Sequence, residues 1–431
     1  MRYKNIPKEL FESNREKLRK ELKPHSLLVV NANDVMPTNS DGTARFRQNS
    51  DLFYLSGVDQ EETILVMCPD FPDERYREVL FIRETSEMIA IWEGHKLTKL
   101  EAREKTGIQT VVWVSEFQKV FNLMMLMGDT EYVYLNTNDH YRADNPVETR
   151  EGRFVKWCMD KFPLHKYERL APIMHRLRSV KSQHELDLMQ RACDITEAGF
   201  RRVLKFVKPG VKEYEIEAEY VHEFLYNGSR GFAYEPIIAS GTNSCVLHYL
   251  DNNQVCQDGD LLLLDVGAEY ANYNADLTRT IPVNGRFSKR QKEVYNAVLR
   301  VKRYAYSLLR PGVKYYEYHK QIQQFTEQEL IGLKLIDKTD VKNQDKDKPL
   351  FMKYFMHGTS HQLGLDVHDV GSMYHEMREG QVWTVEPGIY IREEGLGVRI
   401  ENNVVIGKEG VHDLMKNIPE EVEEIEHIMN S

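Results

Sequence analysis

The sequence contains no apolar run that approaches ~18 residues, so it offers no transmembrane helix. Its opening stretch, "MRYKNIPKELFESNREKLRKEL", lacks the apolar core of a secretory signal and reads as a charged helix. Cysteine is scarce. Cys68, Cys158, Cys193, Cys245 and Cys256 are scattered, odd in number and without CxxC spacing, which predicts reduced thiols in a cytoplasmic protein. None stands beside an obvious base, which argues against a catalytic cysteine. Positive charge is not in excess either: 57 basic against 67 acidic residues give a net charge of −10, which argues against nucleic acid as a main partner.

What is present is an ordinary globular balance. The chain has 431 residues, 41% hydrophobic and 29% charged, enough for two or three domains and a substantial core. Over the first ~170 residues, "SLLVVNA", "TILVMCP" and "EYVYLNT" read as buried strands between helical stretches, an α/β pattern. A boundary falls near Pro172, so the expected domains are 1–172 and 173–431. Past it, "SQHE" places Glu185 three residues after Ser182, a capping box that opens a long helix. Leu186, Met189, Cys193 and Phe200 lie on one face of that helix.

The second part carries an internal repeat. "KPGVKEYEIE" (208–217) resembles "RPGVKYYEYH" (310–319), "SGTNSCVLHY" (240–249) resembles "HGTSHQLGLD" (357–366), and "DGDLLLLDVG" (258–267) resembles "EGQVWTVEPG" (379–388). The offsets grow from 102 to 117 to 121, so the second copy holds insertions. One is visible as "LIDKTDVKNQDKDKP" (335–349), which reads as a charged, solvated loop. Three matches in one order point to a duplicated unit with pseudo-two-fold symmetry. Sites often form where such halves meet.

The repeat sets Asp265 opposite Glu386, each after four residues of strand character and two before a glycine. A second strand follows in each half, with Asp276 in one and Glu401 in the other. Each half thus reads as a hairpin with one carboxylate per arm. Any one of these acids alone reads most simply as a strand-end cap, as Asp258 and Glu379 do. Four buried in matched positions repel one another and need positive charge between them. Arg279 and Arg399 are the basic residues near these segments and offset part of that charge; a divalent cation is the simpler answer.

In "HGTSHQLGLDVHD", His357, His361 and His368 fall within twelve residues. His357 and His361 are four apart, but Gly358, Thr359 and Gly364 argue against a helix, and no glutamate follows the first histidine, so the zinc-helix pattern HExxH fails. His375 is expected to be a core histidine. Four carboxylates with one imidazole suit a pair of hard or borderline ions such as Mn2+.

Asp265, Asp276, His361, Glu386 and Glu401, set in "LLLLDVGAEYANYNADLTRT", "HGTSHQLGLDVHD", "TVEPGIY" and "GVRIENN", resemble the five-ligand signature of the dinuclear metallopeptidases with the pita-bread fold. "FRQNSDLFYLSG" (46–57) and "AIWEGHKL" (90–97) resemble the N-terminal domain of the aminopeptidase P family, which is similar to the creatinase N-terminal domain. The resemblance implies an α+β pita-bread catalytic domain over 173–431, preceded by a creatinase-like α/β domain over 1–172 that serves oligomerisation and substrate access. It implies two divalent ions, Mn2+ being the expected one. Asp276 and Glu401 would bridge them, Asp265 would complete one site, and His361 with Glu386 the other.

The same resemblance implies release of the N-terminal residue from peptides with proline second, through a dimetal-bridged hydroxide. Glu386 would carry the proton, with His368 and His248 lining the site. His357 and Arg399 would stand behind the ligands, Arg399 on the same strand face as Glu401. Tyr234 falls at an active-site tyrosine. Trp92 either offers a flat surface to the proline ring or packs within its own domain. Peptides with N-terminal Xaa-Pro are the expected partners, with no nucleic acid and no membrane, in a homo-dimer or homo-tetramer. The alternatives are a prolidase, cutting Xaa-Pro dipeptides, and a non-catalytic binding module on the same fold.

Overall fold

A computed structural model describes residues 3–144 and 146–431. The chain divides into two compact units, Lys4–Arg178 and Ser179–Ser431, the second also taking in Tyr3.

The N-terminal unit is built on a six-stranded mixed sheet. Its order is Thr110–Trp113, Glu78–Ile82, Ile64–Met67, Ser26–Asn31, Tyr132–Leu135, Lys166–Arg169. The three runs expected to be strands supply its centre, and every residue of Ser26–Asn31 is buried because the sheet is covered on both faces. On one face Leu27, Val29, Val66, Phe81 and Val133 pack with Phe117 and Phe121 from helix Phe117–Met127 and Cys158 from helix Arg150–Lys161. The opening charged stretch forms helix Lys8–Arg19, whose apolar stripe of Leu10, Phe11 and Leu18 is buried.

Trp92 lies on the short helix Glu87–Glu93, which buries no residue. Its indole is 80% exposed and donates its N–H to the Met88 sulfur at 3.2 Å. The plainer expectation, packing within its own domain, is therefore not what its surroundings provide.

The C-terminal unit repeats one plan twice. Helices Gln183–Phe206 and Glu213–Tyr226 lead into strands Ile237–Ser240, Leu261–Val266 and Leu277–Pro282; helices Lys289–Leu308 and Tyr315–Gly332 lead into strands between Val382 and Ile406. The capping box at Ser182 and Glu185 is formed, and Met189, Cys193 and Phe200 are buried behind it. The repeat is visible in the hydrogen bonding. Gly210 N–H donates to the Cys256 carbonyl and Cys256 N–H to Val211; Gly312 N–H donates to Met377 and Met377 N–H to Val313. The offsets are those of the sequence repeat, 312 − 210 = 102 and 377 − 256 = 121.

The insertion at 335–349 departs from the expected loop. It contains the helix Lys338–Asn343, started by the Asp337 carboxylate, which accepts the Thr339 N–H at 2.6 Å. His375, expected in the core, is exposed beside Tyr374, itself 91% exposed.

Candidate metal centre

Each half folds its acid-bearing segment as an antiparallel ladder with a smaller hairpin at its tip. In the first, Leu261–Val266 pairs with Leu277–Pro282, and Glu269–Tyr270 pairs with Tyr273–Asn274. In the second, Val382–Val385 pairs with Asn402–Ile406, and Gly388–Ile391 with Leu396–Arg399. The acids sit where ladder gives way to tip. Asp265 is the penultimate residue of its strand and pairs with Thr278, Asp276 directly precedes the return strand, and Glu386 and Glu401 fall in the breaks between paired strands. Gly267 makes the first tip possible: a Cβ there would lie 1.9 Å from the Ala275 carbonyl oxygen.

Arg399 ends one strand and Glu401 lies just before the next, which begins at Asn402. Both side chains meet the Thr278 hydroxyl, and the Glu401 N–H leaves its own half to donate to the Thr278 carbonyl at 3.0 Å.

The breaks bring the four carboxylates together. The Tyr234 hydroxyl lies 2.6 Å from both Asp265 Oδ1 and Asp276 Oδ1, although it has one hydrogen to donate. Arg399 donates to Asp265 Oδ2 at 2.6 Å, to the Tyr390 hydroxyl at 2.8 Å and to Thr278 Oγ1 at 3.1 Å. The Thr278 hydroxyl donates to Glu401 Oε2 at 2.7 Å, and Thr384 lies 3.3 Å from Glu386 Oε1. His361 donates Nδ1–H to its neighbour's carbonyl, Gln362 O, at 3.0 Å, which turns Nε2 toward the acids. That Nε2 is 3.4 Å from Asp276 Oδ2 and 3.5 Å from Glu386 Oε1.

The electrostatics are those of crowded, desolvated acids. Burial and the neighbouring carboxylates push Glu401 well above its usual range. Burial also raises Asp265, against the Arg399 charge, and pushes Glu386 up to about 7 against His361. Burial opposes charge on His361, but the Asp276 hydrogen bond and the Glu386 charge outweigh it and lift the imidazole to about 9. Arg279 does not relieve the acids: its guanidinium donates to the carbonyls of Pro419, Thr278 and Glu401.

These residues fit a divalent cation. One ligand atom each from Asp276, His361 and Glu401 lies within 4.8 Å of the others, and Glu401 Oε1 is buried with no hydrogen-bond partner. A buried carboxylate oxygen without a donor, on a residue clustered with another carboxylate and an imidazole, suits a cation, which would displace the ring proton.

The comparisons agree with this chemistry. The profile of metallopeptidase family M24 matches residues 187–408, and that of the aminopeptidase P N-terminal domain matches residues 11–134. The Xaa-Pro aminopeptidase of Escherichia coli is 34% identical, with 98% of each chain covered; that of Haemophilus influenzae is 33% identical over 99% of this chain and 98% of its own. Among solved structures, Pseudomonas aeruginosa aminopeptidase PepP has a TM-score of 0.90 at 29% identity, covering 99% of this chain and 98% of its own. Aminopeptidase P from E. coli with the inhibitor Pro-Leu has a TM-score of 0.87 at 31% identity, covering 99% of each.

The chain belongs to metallopeptidase family M24. Membership implies divalent metal ions, and the pita-bread fold that the resemblance implied is the fold observed. No helix of the described residues is long and apolar enough to cross a membrane.

Around this M24 centre the remaining histidines separate by environment. His357 Nε2 lies 2.9 Å from the Tyr390 hydroxyl, its Nδ1 lies 2.7 Å from Gly358 O and 3.8 Å from Glu386 Oε2, and burial, then the Arg399 charge, lower it to about 3. His368 stands at the exposed side, its ring edge-on to His361 with centroids 4.4 Å apart. His248 is exposed and close enough to His357 for their charges to interact.

Several supporting residues escaped the sequence reading. Asn403 accepts the Asp276 N–H at 3.0 Å and donates to the Asp276 carbonyl at 2.6 Å, so it fixes that peptide as a strand partner would. The available signal was "ENNVVI", polar residues leading a buried strand. Thr278, Thr384 and Tyr390 gave no comparable signal, because their partners lie across the fold.

Proposed function

We propose that this M24 protein is an Xaa-Pro aminopeptidase, a metal-dependent hydrolase that releases the N-terminal residue from peptides with proline second. The observation that carries the reading is end-to-end similarity to Xaa-Pro aminopeptidases, N-terminal domain included, joined to the cluster of Asp276, His361 and Glu401.

We assign Asp265, Asp276, His361, Glu386 and Glu401 to two divalent ions, Mn2+ being our choice because carboxylate oxygens dominate the set. When bound, such ions lower the pKa of water and stabilise negative charge developing on the carbonyl oxygen. Asp276 and Glu401, the two most deeply buried acids of the set, would hold the ions together with Asp265, His361 and Glu386. Glu386 would take the water proton and pass it to the departing proline nitrogen. Arg399 and Tyr234 orient Asp265, and His357 holds Tyr390 behind it. His368 and His248, on the exposed side, meet the peptide and steady the charge that develops on it.

Proline makes a dedicated site necessary, because its nitrogen carries no hydrogen and its φ is fixed. The exposed Trp92 offers a flat apolar surface, and with Met88 and Ile91 it gives the helix Glu87–Glu93 a face suited to a second copy of the chain. We expect a homo-dimer or homo-tetramer. Five free, buried cysteines favour the cytoplasm.

The test is a metal-reconstituted assay with paired substrates. Arg-Pro-Pro should lose its arginine, while Gly-Pro should be cut slowly or not at all. Preference for Gly-Pro would make the protein a prolidase. No cleavage and no binding of Mn2+, Co2+ or Zn2+ would leave a non-catalytic module.

A further inference from the structure

The loop that carries His361 is braced from behind by helix Tyr315–Gly332. Two consecutive residues of that helix reach it. The Tyr318 hydroxyl lies 2.9 Å from Ser360 Oγ, and His319 Nδ1 lies 2.9 Å from Thr359 Oγ1. One turn on, the Gln323 amide nitrogen lies 2.9 Å from His319 Nε2. An amide nitrogen donates, so Nε2 accepts, and the ring hydrogen sits on Nδ1, which donates to Thr359. Tyr315 stacks on the imidazole with centroids 5.7 Å apart and planes 10° from parallel.

Thr359 and Ser360 are buried, at 0% and 4% exposure, and their backbone sets the centre. The Thr359 carbonyl accepts the Glu386 N–H at 2.8 Å, and the His361 carbonyl accepts the Thr384 N–H at 2.9 Å. Thr384 Oγ1 in turn accepts the His361 N–H at 3.0 Å. The loop thus registers His361 against Glu386, and the helix registers the loop.

The duplication supplies an internal control. Tyr318 and His319 match Ile216 and Glu217 at the offset of 102. The first half carries no histidine ligand on its equivalent loop, and there Glu217 accepts a hydrogen bond from Asn252 instead, at 3.2 Å. The brace belongs to the half that bears His361.

We infer that Gln323, His319 and Thr359, with Tyr318 and Ser360, form a positioning relay that fixes His361 and Glu386 relative to each other. His319 is a positioning residue, since its contacts are with Thr359 and Gln323. This rests on His361 and Glu386 being metal ligands.

The test compares His319→Ala, His319→Gln and His319→Asn in the full-length protein. An asparagine amide nitrogen replaces the Nδ1 donor; a glutamine amide nitrogen replaces Nε2. Readouts are kcat and KM on Arg-Pro-Pro, Mn2+ affinity, and the visible spectrum of the Co2+-substituted protein. His319→Ala and His319→Gln should lower kcat or Mn2+ affinity by about 10–100-fold, with KM little changed and the Co2+ spectrum altered. His319→Asn should recover most of the loss. Thr359→Val, a second route if an alanine variant fails to fold, should match His319→Ala. The inference falls if His319→Ala and Thr359→Val keep wild-type kcat, Mn2+ affinity and Co2+ spectrum, or if His319→Asn is as impaired as His319→Ala. A wild-type protein that binds no Mn2+ or Co2+ would instead remove the metal-centre reading beneath it.

Discussion

Glu213 and Glu401 lie in the same unit, and both are buried, at 0% and 2% exposure. Glu213 accepts four hydrogen bonds, from Ser240 N–H and Oγ–H on one oxygen and from Tyr249 O–H and Gln254 N–H on the other, at 2.7–2.9 Å. Glu401 accepts one, from Thr278, and its other oxygen has none. A buried carboxylate that serves structure brings its own donors, as Glu213 does by tying the start of helix Glu213–Tyr226 to the strand ending at Ser240. One left short of donors among other carboxylates is waiting for something the chain does not supply. The contrast singles out the candidate metal centre without reference to any motif.

The comparison breaks first at Glu401→Gln. Activity should fall by about a thousandfold or more, since several kcal/mol of charge stabilisation goes with the metal. Elemental analysis should find the metal gone. In chelator at pH 8 the same variant should melt above the wild type. Glu401 is held far above its solution range in the folded chain, so at that pH folding works against its ionisation, and the amide removes that cost. An unchanged or lower melting temperature in chelator would mean that Glu401 is satisfied without metal.

Glu213→Gln should do the reverse. An amide cannot accept four hydrogen bonds, and the loss of charge-assisted bonds should cost about 2–4 kcal/mol, read from denaturant melts, with metal content and kcat per folded molecule retained. Among the histidines the same logic separates ligand from helper. His361→Ala should lose metal, whereas His368→Ala should keep it and lose kcat by about 100-fold. Metal loss in His368→Ala would move that residue into the ligand set.

The parts of this centre that were legible in the sequence were those that violate a local rule. An aspartate after "LLLL" is costly in any fold that buries the run, and the repeat doubled the anomaly at Glu386. The N-terminal strands were equally plain, because a short apolar run bounded by turn residues is a local property. What stayed hidden depends on which strand lies beside which. Thr278 holds Glu401 and Asn403 holds Asp276 across the seam between the halves, and no spacing announces that pairing. The interruption of the strand at Glu401 was hidden for the same reason: "GVRIENN" reads as continuous, and the Glu401 peptide bonds to the other half. The helix after Asp337 was missed because dense charge masked a good N-cap.

A third buried glutamate gives the finest test. Glu151, in the N-terminal unit, accepts the Asn31 N–H at 2.8 Å and the Asn31 side-chain amide at 2.7 Å, so it stands between Glu213 and Glu401 in its supply of donors. Burial outweighs those donors and pushes its carboxyl up to about 8. The folded chain therefore holds a proton that the unfolded chain releases near pH 4.5. Stability from this group is complete below that pH and declines as pH rises toward 8, by at most about 1.4 kcal/mol per pH unit. Glu151→Gln should flatten the decline. Melting the wild type and the variant at pH 5, 6.5 and 8 in chelator, with Glu401→Gln in both backgrounds to silence the larger contribution, isolates it. Equal slopes would show that two donors from a single asparagine suffice to keep a buried carboxylate ionised.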